Sequence, residues 1–439
     1  ILGTEGGTYY VREQKLTEDH ARNAIELIKH DGKKVVDAIV RVSQEGRAAK
    51  NDPAIFALAL AATYGDEATR KAAMAALPKV ARTGTHLFQF VEEAQELRGW
   101  GRTMRSGVQA WYNSASAENI AYQAMKYQRR GQWSHRDVLR LAHPKPVSAA
   151  HSEVFNWIVT GSTKNAGTRI EAFEALKAAG DVDQAVKLIV EHKLPREAVP
   201  TELLTSAKVW EALLQEMPLT AMARNLATMT RVGLIRVGSE ASKLVAERLR
   251  DEDRLKAARV HPVSILLAMS TYSSGHGLRG QHVWLPVPKV VDALDDAFYL
   301  AFQNVEATGK RYLLGIDVSS SMASYRVGDT PLSAAEAATA MAMVTMAKDD
   351  AMPMGFAHNF RKLNLSKKMR LGDAMKHTQS RSFGATDAAL PMLFALENKL
   401  DVDVFVVYTD SETYYGDIHP VQALARYRDK TGIAAKLVV

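Results

Sequence analysis

Two rules of apolar spacing divide the chain. From about residue 15 to 305, apolar residues recur at intervals of three and four, broken every 10 to 18 residues by short polar or glycine stretches, which predicts a succession of short helices. Residues 168–177 align Ile170, Phe173 and Leu176 on one stripe, break at Gly180 and resume with Val182, Val186 and Ile189, the pattern of a helical hairpin. Ser134 with Asp137, and Thr168 with Glu171, have the spacing of capping boxes: the first side chain accepts a backbone N–H, and the acid three residues on accepts another at the open helix end. Further helices are predicted over 21–28, 54–62, 69–77, 86–97, 117–127, 210–214, 220–229, 241–249 and 262–269. A last one, 288–306, gathers Val290, Leu294, Ala297, Phe298, Ala301, Phe302 and Val305 on one broad face and reads as packed core. Short helices with tight connections bury their stripes against successive neighbours, so the pattern predicts stacked helix pairs. Without a strict period, the stack is an irregular solenoid.

After Gly309 the spacing changes. Residues 312–316 form a short apolar run ending in Asp317, followed by a serine-rich loop and an alanine-rich helix introduced by Ser333 and Glu336. Residues 351–357, 403–408 and 435–439 read as further strands, with helices near 373–377, 387–396 and 421–427. Pro353 is expected at the start of its strand or on a sheet edge, because it has no N–H for a ladder. Strands alternating with helices predict a mostly parallel sheet covered on both faces, in a domain beginning near residues 306–311.

Composition then narrows the chemistry. The 439 residues are 47% hydrophobic and 24% charged, ample for several buried cores. There is no cysteine, which excludes a disulfide framework, thiolate-ligated zinc, iron–sulfur clusters and thiol catalysis in this sequence. The sequence has no unbroken apolar run of 18 residues and no basic-then-apolar leader, so the expectation is a cytoplasmic protein with no membrane partner. It starts without methionine and stops on the apolar run 434–439, so trimming at both ends is expected. Of the formal net charge of +7, +6 falls in residues 1–310 and +1 in 311–439, which assigns attraction for an anionic partner mainly to the helical part.

The most pointed local feature is Asp317-Val318-Ser319-Ser320-Ser321, at the carboxyl end of the first predicted strand, where open α/β sheets place ligand sites. Alternate residues Asp317, Ser319 and Ser321 can turn one charged and two neutral oxygens inward, a donor set for a small hard cation. Asp410 follows the strand at 403–408, and Thr386 stands in the loop Gly384-Ala385-Thr386-Asp387 before a helix. Together the five make a mixed carboxylate and hydroxyl site for a divalent cation, with Mg2+ the expected ion. For the pentapeptide by itself, a helix-capping serine loop is the alternative. Asp387 and Glu412 are the nearest further acids, and capping or solvent exposure accounts for them, so metal-assisted hydrolysis lacks its general base. The loop resembles the metal-ion-dependent adhesion site of von Willebrand factor A domains, with Thr386 and Asp410 in that family's order. In such domains the open coordination position takes an acidic oxygen from a partner, which implies binding rather than catalysis.

In the helical part, Lys126, Arg129 and Arg130 are spaced to gather on one side of a helix end, with Arg136 in the next helix and His143 and Lys145 just beyond. Such a group suits phosphates, and its arginines can bracket a bent backbone or stack on an unpaired base. A solvated helix C-terminus accounts for the three cations equally well, since basic residues there meet a favourable dipole. The stretch His276-Gly277-Leu278-Arg279-Gly280 reads first as a turn between helices.

A wider resemblance rests on longer words in a fixed order: Glu5-Gly-Gly-Thr-Tyr-Tyr10, Ser43-Gln-Glu-Gly-Arg47, Thr85-His-Leu-Phe88, Trp133-Ser-His-Arg-Asp137, Val209-Trp210, Leu214-Gln-Glu-Met-Pro-Leu-Thr220, Gly275-His-Gly-Leu-Arg-Gly280 and Thr308-Gly-Lys-Arg311, with the Asp317 loop. Through them nearly the whole chain resembles the Ro autoantigen family and its bacterial relatives. The resemblance implies a multidomain protein: an all-α, HEAT-like helical-repeat ring over 1–308 (the TROVE module), closed by an α/β, Rossmann-like von Willebrand factor A domain over 309–439 that is C-terminally incomplete. It implies a noncatalytic, monomeric RNA-binding ring, with Y RNA on the outer surface and the single-stranded 3′ end of misfolded or precursor noncoding RNA in the central hole. Its role would be RNA quality control or processing, with a 3′-to-5′ exoribonuclease as partner. Lys126, Arg130 and His143 match family positions that contact Y RNA, and Arg129 joins them by charge and geometry alone. For His143 the alternative is a buried packing histidine; Tyr9 and Tyr10 can stack on bases or clamp the terminus. The rival readings are a metal-dependent protein-interaction scaffold without direct RNA recognition and, last, a metal-dependent nuclease.

Overall fold

The computed structural model describes residues 21–46, 50–277, 282–327, 330–357, 359–378, 386–410 and 416–439. The Glu5–Tyr10 word lies outside them, as do Arg47, Leu278, Arg279, Gly280, Gly384, Ala385 and Glu412. The described residues form two compact units, 21–245 and 246–439.

The first unit is built of α1 (Arg22–Glu45), α2 (Asp52–Tyr64), α3 (Glu67–Val80), α4 (Gly84–Arg98), α5 (Arg102–Asn113), α6 (Ala117–Lys126), α7 (His135–Ala142), α8 (Ala149–Thr160), α9 (Thr168–Lys177), α10 (Val182–His192), α11 (Ala207–Glu216) and α12 (Leu219–Arg231), with the division falling inside α13 (Glu240–Arg250). Neighbours pack in overlapping pairs, α1 on α2 and α3, α3 on α5, α5 on α7 and α7 on α8, because none of these short helices can cover its own apolar stripe. In α2 the demand is extreme, with every residue from Ala54 to Ala61 buried.

Several elements differ from the spacing. The helix expected over 21–28 runs on to Glu45, with a break at Asp31 (φ −150°, ψ 71°). Spacing does not announce α5, where Gly107 interrupts the stripe of Met104, Val108, Trp111 and Tyr112. Gly107 is required there by close approach, since a Cβ would stand 2.4 Å from Met74 Sδ. Nor does spacing announce α8, whose stripe is only His151, Val154, Phe155 and Trp157. The Ser134 and Asp137 capping box is complete. The Thr168 and Glu171 box is not: Gly167 (φ 94°) takes the N-cap position and moves Thr168 into the first helical turn, beyond capping reach.

The second unit continues with α14 (Glu252–Ala257), α15 (Pro262–Ser273) and α16 (Pro288–Leu300), whose buried face holds Val290, Leu294, Ala297 and Phe298 as expected, though the helix tightens into a 3₁₀ turn over Ala301–Asn304. Then come β3 (Arg311–Asp317), β4 (Asp350–Phe356), β5 (Phe360–Lys362), β6 (Val404–Tyr408) and β7 (Lys436–Val438), after a two-stranded hairpin, β1 (Arg129–Arg130) and β2 (Trp133–Ser134), in the first unit. The sheet order is β5-β4-β3-β6-β7, parallel except for β5. Pro353 sits inside β4, paired with Leu314, rather than on an edge. Its carbonyl accepts from Leu363 N–H on the β5 side, and with no Pro353 N–H to return that bond, the ladder with β5 starts only at Met354. Helices α17 (Ser321–Ser324), α18 (Ala334–Lys348), α19 (Leu371–Thr378), α20 (Leu390–Glu397) and α21 (Pro420–Thr431) complete the domain. Arg311 ties the starts of β3 and β6 together, its Nε and Nη2 each 3.1 Å from Asp403, whose carboxyl this hydrogen-bonded pairing holds down at about 2. Among the described residues no helix is long and apolar enough to cross a membrane.

Candidate functional site

The predicted cations lie on successive elements of the first unit, and of Lys126, Arg129 and Arg130 only Lys126 is on a helix end. α6 stops at Lys126, where the Gln128 amide closes the last turn on Met125 O at 3.2 Å. Gly131 (φ 56°) then opens a two-residue hairpin loop, and Ser134 caps α7, which leaves no length for another helical turn. Arg129 and Arg130 therefore form the exposed strand β1, opposite Ser134 and Trp133. Lys126 Nζ stands 5.6 and 5.7 Å from the ring centroids of Tyr122 and Tyr127.

α7 extends this surface by about 12 Å. His135, Val138, Leu139 and Ala142 are buried, while Arg136 and Arg140, one turn apart, are exposed. Spacing singles out Arg136 and passes over Arg140; an i, i+4 pair of arginines beside buried Val138, Leu139 and Ala142 is the signal that finds it. The helix ends on His143, which is exposed and left-handed (φ 48°, ψ 57°), not the buried packing residue of the alternative reading. That conformation costs a non-glycine residue about 1 to 2 kcal/mol. The Gln109 amide holds it from below, 2.7 Å from Ala142 O and 3.3 Å from His143 O, and Asn113 holds Lys145 O at 2.9 Å. The left-handed residue closes the helix, its N–H bonded to Leu139 O, and leaves the imidazole facing solvent. Lys126, Arg129, Arg130, Arg136, Arg140 and Lys145 form no ion pair among the described residues.

Behind α7, His135 is 2% exposed and shares a 2.8 Å hydrogen bond between Nδ1 and the Tyr112 hydroxyl. The rings of Phe88, Trp111 and Tyr112 surround it at 4.7, 5.9 and 5.7 Å. Gly84 starts α4 at this point because a Cβ would stand 2.6 Å from His135 Nε2. Burial drives His135 down to about 3, and burial with Arg82 nearby takes His86 to about 4. Both rings stay neutral in the fold yet take a proton in the unfolded chain below about 6.5. Stability is therefore complete above pH 7 and falls on acidification through 6 toward 4, by about 2 kcal/mol at pH 5 for His135 alone. Urea unfolding at pH 7.5 and pH 5 is expected to show this loss and His135→Gln to reduce it; a midpoint independent of pH would refute a buried neutral imidazole.

In the second unit, parallel pairing of Ile316 with Tyr408 sets Asp317 beside Thr409 at the carboxyl ends of two central strands. Asp317 is 1% exposed; its Oδ1 accepts Ser319 N–H at 2.8 Å and its Oδ2 the Thr409 hydroxyl at 2.9 Å. Ser319 Oγ and Ser321 Oγ are 2.9 Å apart. Asp410 is buried too. On the other side of β3, Asp387 N–H donates to Ala357 O just past β4, which places buried Thr386 at the same sheet edge. Asp387 makes the capping contact expected of it, its Oδ1 accepting Ala389 N–H at 2.9 Å.

Burial pushes the Asp317 carboxyl up, with the Asp410 charge adding to it against the hydrogen bonds from Ser319 and Thr409. None of these groups is a cation. Buried carboxylate and hydroxyl oxygens at one sheet edge are the donor types that a hard divalent cation takes, so the residues present fit one. Among the described residues no three His, Asp or Glu side chains converge on a metal position.

The TROVE domain family matches residues 1–193 and 168–310, and the Ro60 vWA domain family matches residues 311–439. RNA-binding protein RO60 of Deinococcus radiodurans is 43% identical over 451 residues, a match covering 100% of this chain and 84% of that protein. RNA-binding protein RO60 of Caenorhabditis elegans is 34% identical over 522 residues, covering 100% and 81%. The crystal structure of the Deinococcus radiodurans RO (RSR) protein is similar with a TM-score of 0.82 at 42% identity, covering 100% of this chain and 90% of that one.

Proposed function

Because the chain belongs to the Ro60 family of TROVE and von Willebrand factor A proteins, we propose that it is a noncatalytic RNA-binding protein whose helical unit holds a structured Y RNA on its outer surface. The observation that carries this reading is the set of cations between Lys126 and Lys145, of which Arg129, Arg130, Arg136, Arg140 and Lys145 are exposed and none of the six forms an ion pair among the described residues, with the exposed His143 closing the helix between them. Lys126, Arg129, Arg130 and His143 contact the RNA, and Arg136 and Arg140 extend the contact. Phosphate contacts of this kind position an RNA without reading its sequence, while guanidinium and imidazole planes stack on unpaired bases.

In this reading the single-stranded 3′ end of a misfolded or maturing noncoding RNA enters the hole of a monomeric helical ring, and Y RNA obstructs it where their footprints overlap. The protein works in the cytoplasm in RNA quality control or processing, beside a 3′-to-5′ exoribonuclease. Asp317, Ser319, Ser321, Thr386 and Asp410 hold a divalent cation, Mg2+. Bound there, the cation supplies a position for an acidic oxygen of a protein partner; the two buried carboxylates at one sheet edge support the assignment.

The test is binding of a structured RNA with and without a single-stranded 3′ tail, with cleavage followed in parallel in Mg2+. Both RNAs are expected to bind, the tailed one more tightly, and neither to be cut. Failure of both to bind, or cleavage by the purified protein, would sink the reading.

A further inference from the structure

A second gathering of cations lies where α4 turns into α5. The Gly99-Trp100-Gly101 turn borders a cavity of about 180 Å³, whose charged lining is Arg70 from α3, Arg98 from the last turn of α4 and Arg102 from the first turn of α5. No carboxylate lines it. Arg98 Nη1 is fixed on Thr63 O at 3.1 Å, and Arg70 feels Asp66 and Glu67 on its own turn of helix. Arg102 is exposed and makes no ion pair among the described residues. Three arginines from three helices thus line one cavity that has no acid in its lining, and Arg102 in particular has no carboxylate partner there. The backbone adds to this charge: α5 has Gly101 as its N-cap, no capping side chain and no acid in its first turn, so N–H groups at 102–104 remain to be satisfied. Trp100 supplies an aromatic wall held in place, its Nε1 donating to Leu141 O at 3.3 Å in the last turn of α7, two residues before His143.

We propose that this cavity binds a phosphate monoester, the terminal phosphate of a bound RNA, with the Trp100 indole against the adjoining base. The volume is too small for a whole nucleotide and suits one anionic group with part of a sugar. A terminal monoester carries nearly two charges at neutral pH, against one for an internal diester, and arginine forks match its oxygens in pairs. The source of the phosphate rests on the RNA-binding reading; the pocket itself does not.

The experiment compares single-stranded oligonucleotides of one length with a 5′-phosphate, a 3′-phosphate or hydroxyls at both ends, and a hydroxyl-ended one longer by a nucleotide to control for charge. Binding is measured on the parent, on Arg102→Gln and on Lys126→Ala with Arg130→Ala, and inorganic phosphate is titrated into each by calorimetry. One phosphorylated end is expected to bind the parent about tenfold more tightly than the hydroxyl end, as a charge-assisted contact would give. Arg102→Gln should erase that advantage with the circular dichroism unchanged, and the double variant should keep it while binding every RNA more weakly. Phosphate binding without an end effect would retain the pocket and replace its ligand by free phosphate, overturning the RNA end. Equal affinity for all ends, with no phosphate bound by the folded parent, would overturn the proposal entirely. Phosphate binding that Arg102→Gln abolishes, in a protein that binds no RNA, would uphold the pocket and refute the RNA-binding reading.

Discussion

Asp317→Ala is expected to weaken divalent-cation binding by at least about a hundredfold while leaving RNA affinity within about twofold of the parent. Asp317 ends β3 with its carboxylate 1% exposed, and Ser319 and Thr409 aim it from either side. Removing it takes away one of the two charges that a cation would neutralise, and Ser319, Ser321 and Thr386 hydroxyls alone are weak ligands for a hard ion. The substitution also removes the acceptor of the Ser319 N–H and one partner of the Thr409 hydroxyl; losing the Ser319 bond costs about 1 to 3 kcal/mol, and the absence of repulsion from Asp410 offsets part of this. Asp317→Asn separates the two effects, because it keeps an acceptor oxygen and removes the charge. Calorimetric titration with Mg2+ and Mn2+ reads the metal, and thermal unfolding reads the fold. A tenfold loss of RNA affinity in a folded Asp317→Asn protein would contradict the division of labour between the units.

Lys126→Ala with Arg130→Ala is expected to lower the affinity for structured RNA roughly 10- to 100-fold near 0.1 M salt. The fold should tolerate the change. Arg130 is exposed and its guanidinium donates to the neighbouring Arg129 O, while Lys126 contributes cation–π interactions with Tyr122 and Tyr127, worth about 0.5 to 1 kcal/mol each at exposed sites. Weaker binding by this variant therefore reports the removal of charges that neutralise phosphates rather than unfolding.

Local chemistry made much of this structure legible in the sequence. The Ser134 and Asp137 box starts α7 as its spacing says, and the short apolar run before Asp317 becomes a central strand, covered on both faces as a parallel strand of continuous apolar residues is. Thr168 and Glu171 share the same spacing and fail, since Gly167 in front of them takes the positive φ at the helix entrance. The hairpin at 129–134 escaped a helical reading of Lys126, Arg129 and Arg130, although Gly131 is its marker. What spacing could not show depends on residues far apart along the chain. His135 is fixed by Phe88, Trp111 and Tyr112, and the arginine cavity needs Arg70, Arg98 and Arg102 from three helices. The same holds for His143: its exposure follows from α5, whose Gln109 and Asn113 hold the turn open.

The central claim is that cations between Lys126 and Lys145 bind RNA through its phosphates. Its most direct test is the affinity for one structured RNA from 50 to 300 mM salt, for the parent and for Lys126→Ala with Arg130→Ala. The parent should show a steep linear fall of log affinity with log salt, and the double variant a slope shallower by about 1.5 to 2, because each cation removed leaves one phosphate to keep its counterion. Parallel lines of equal affinity, from two folded proteins, would contradict it.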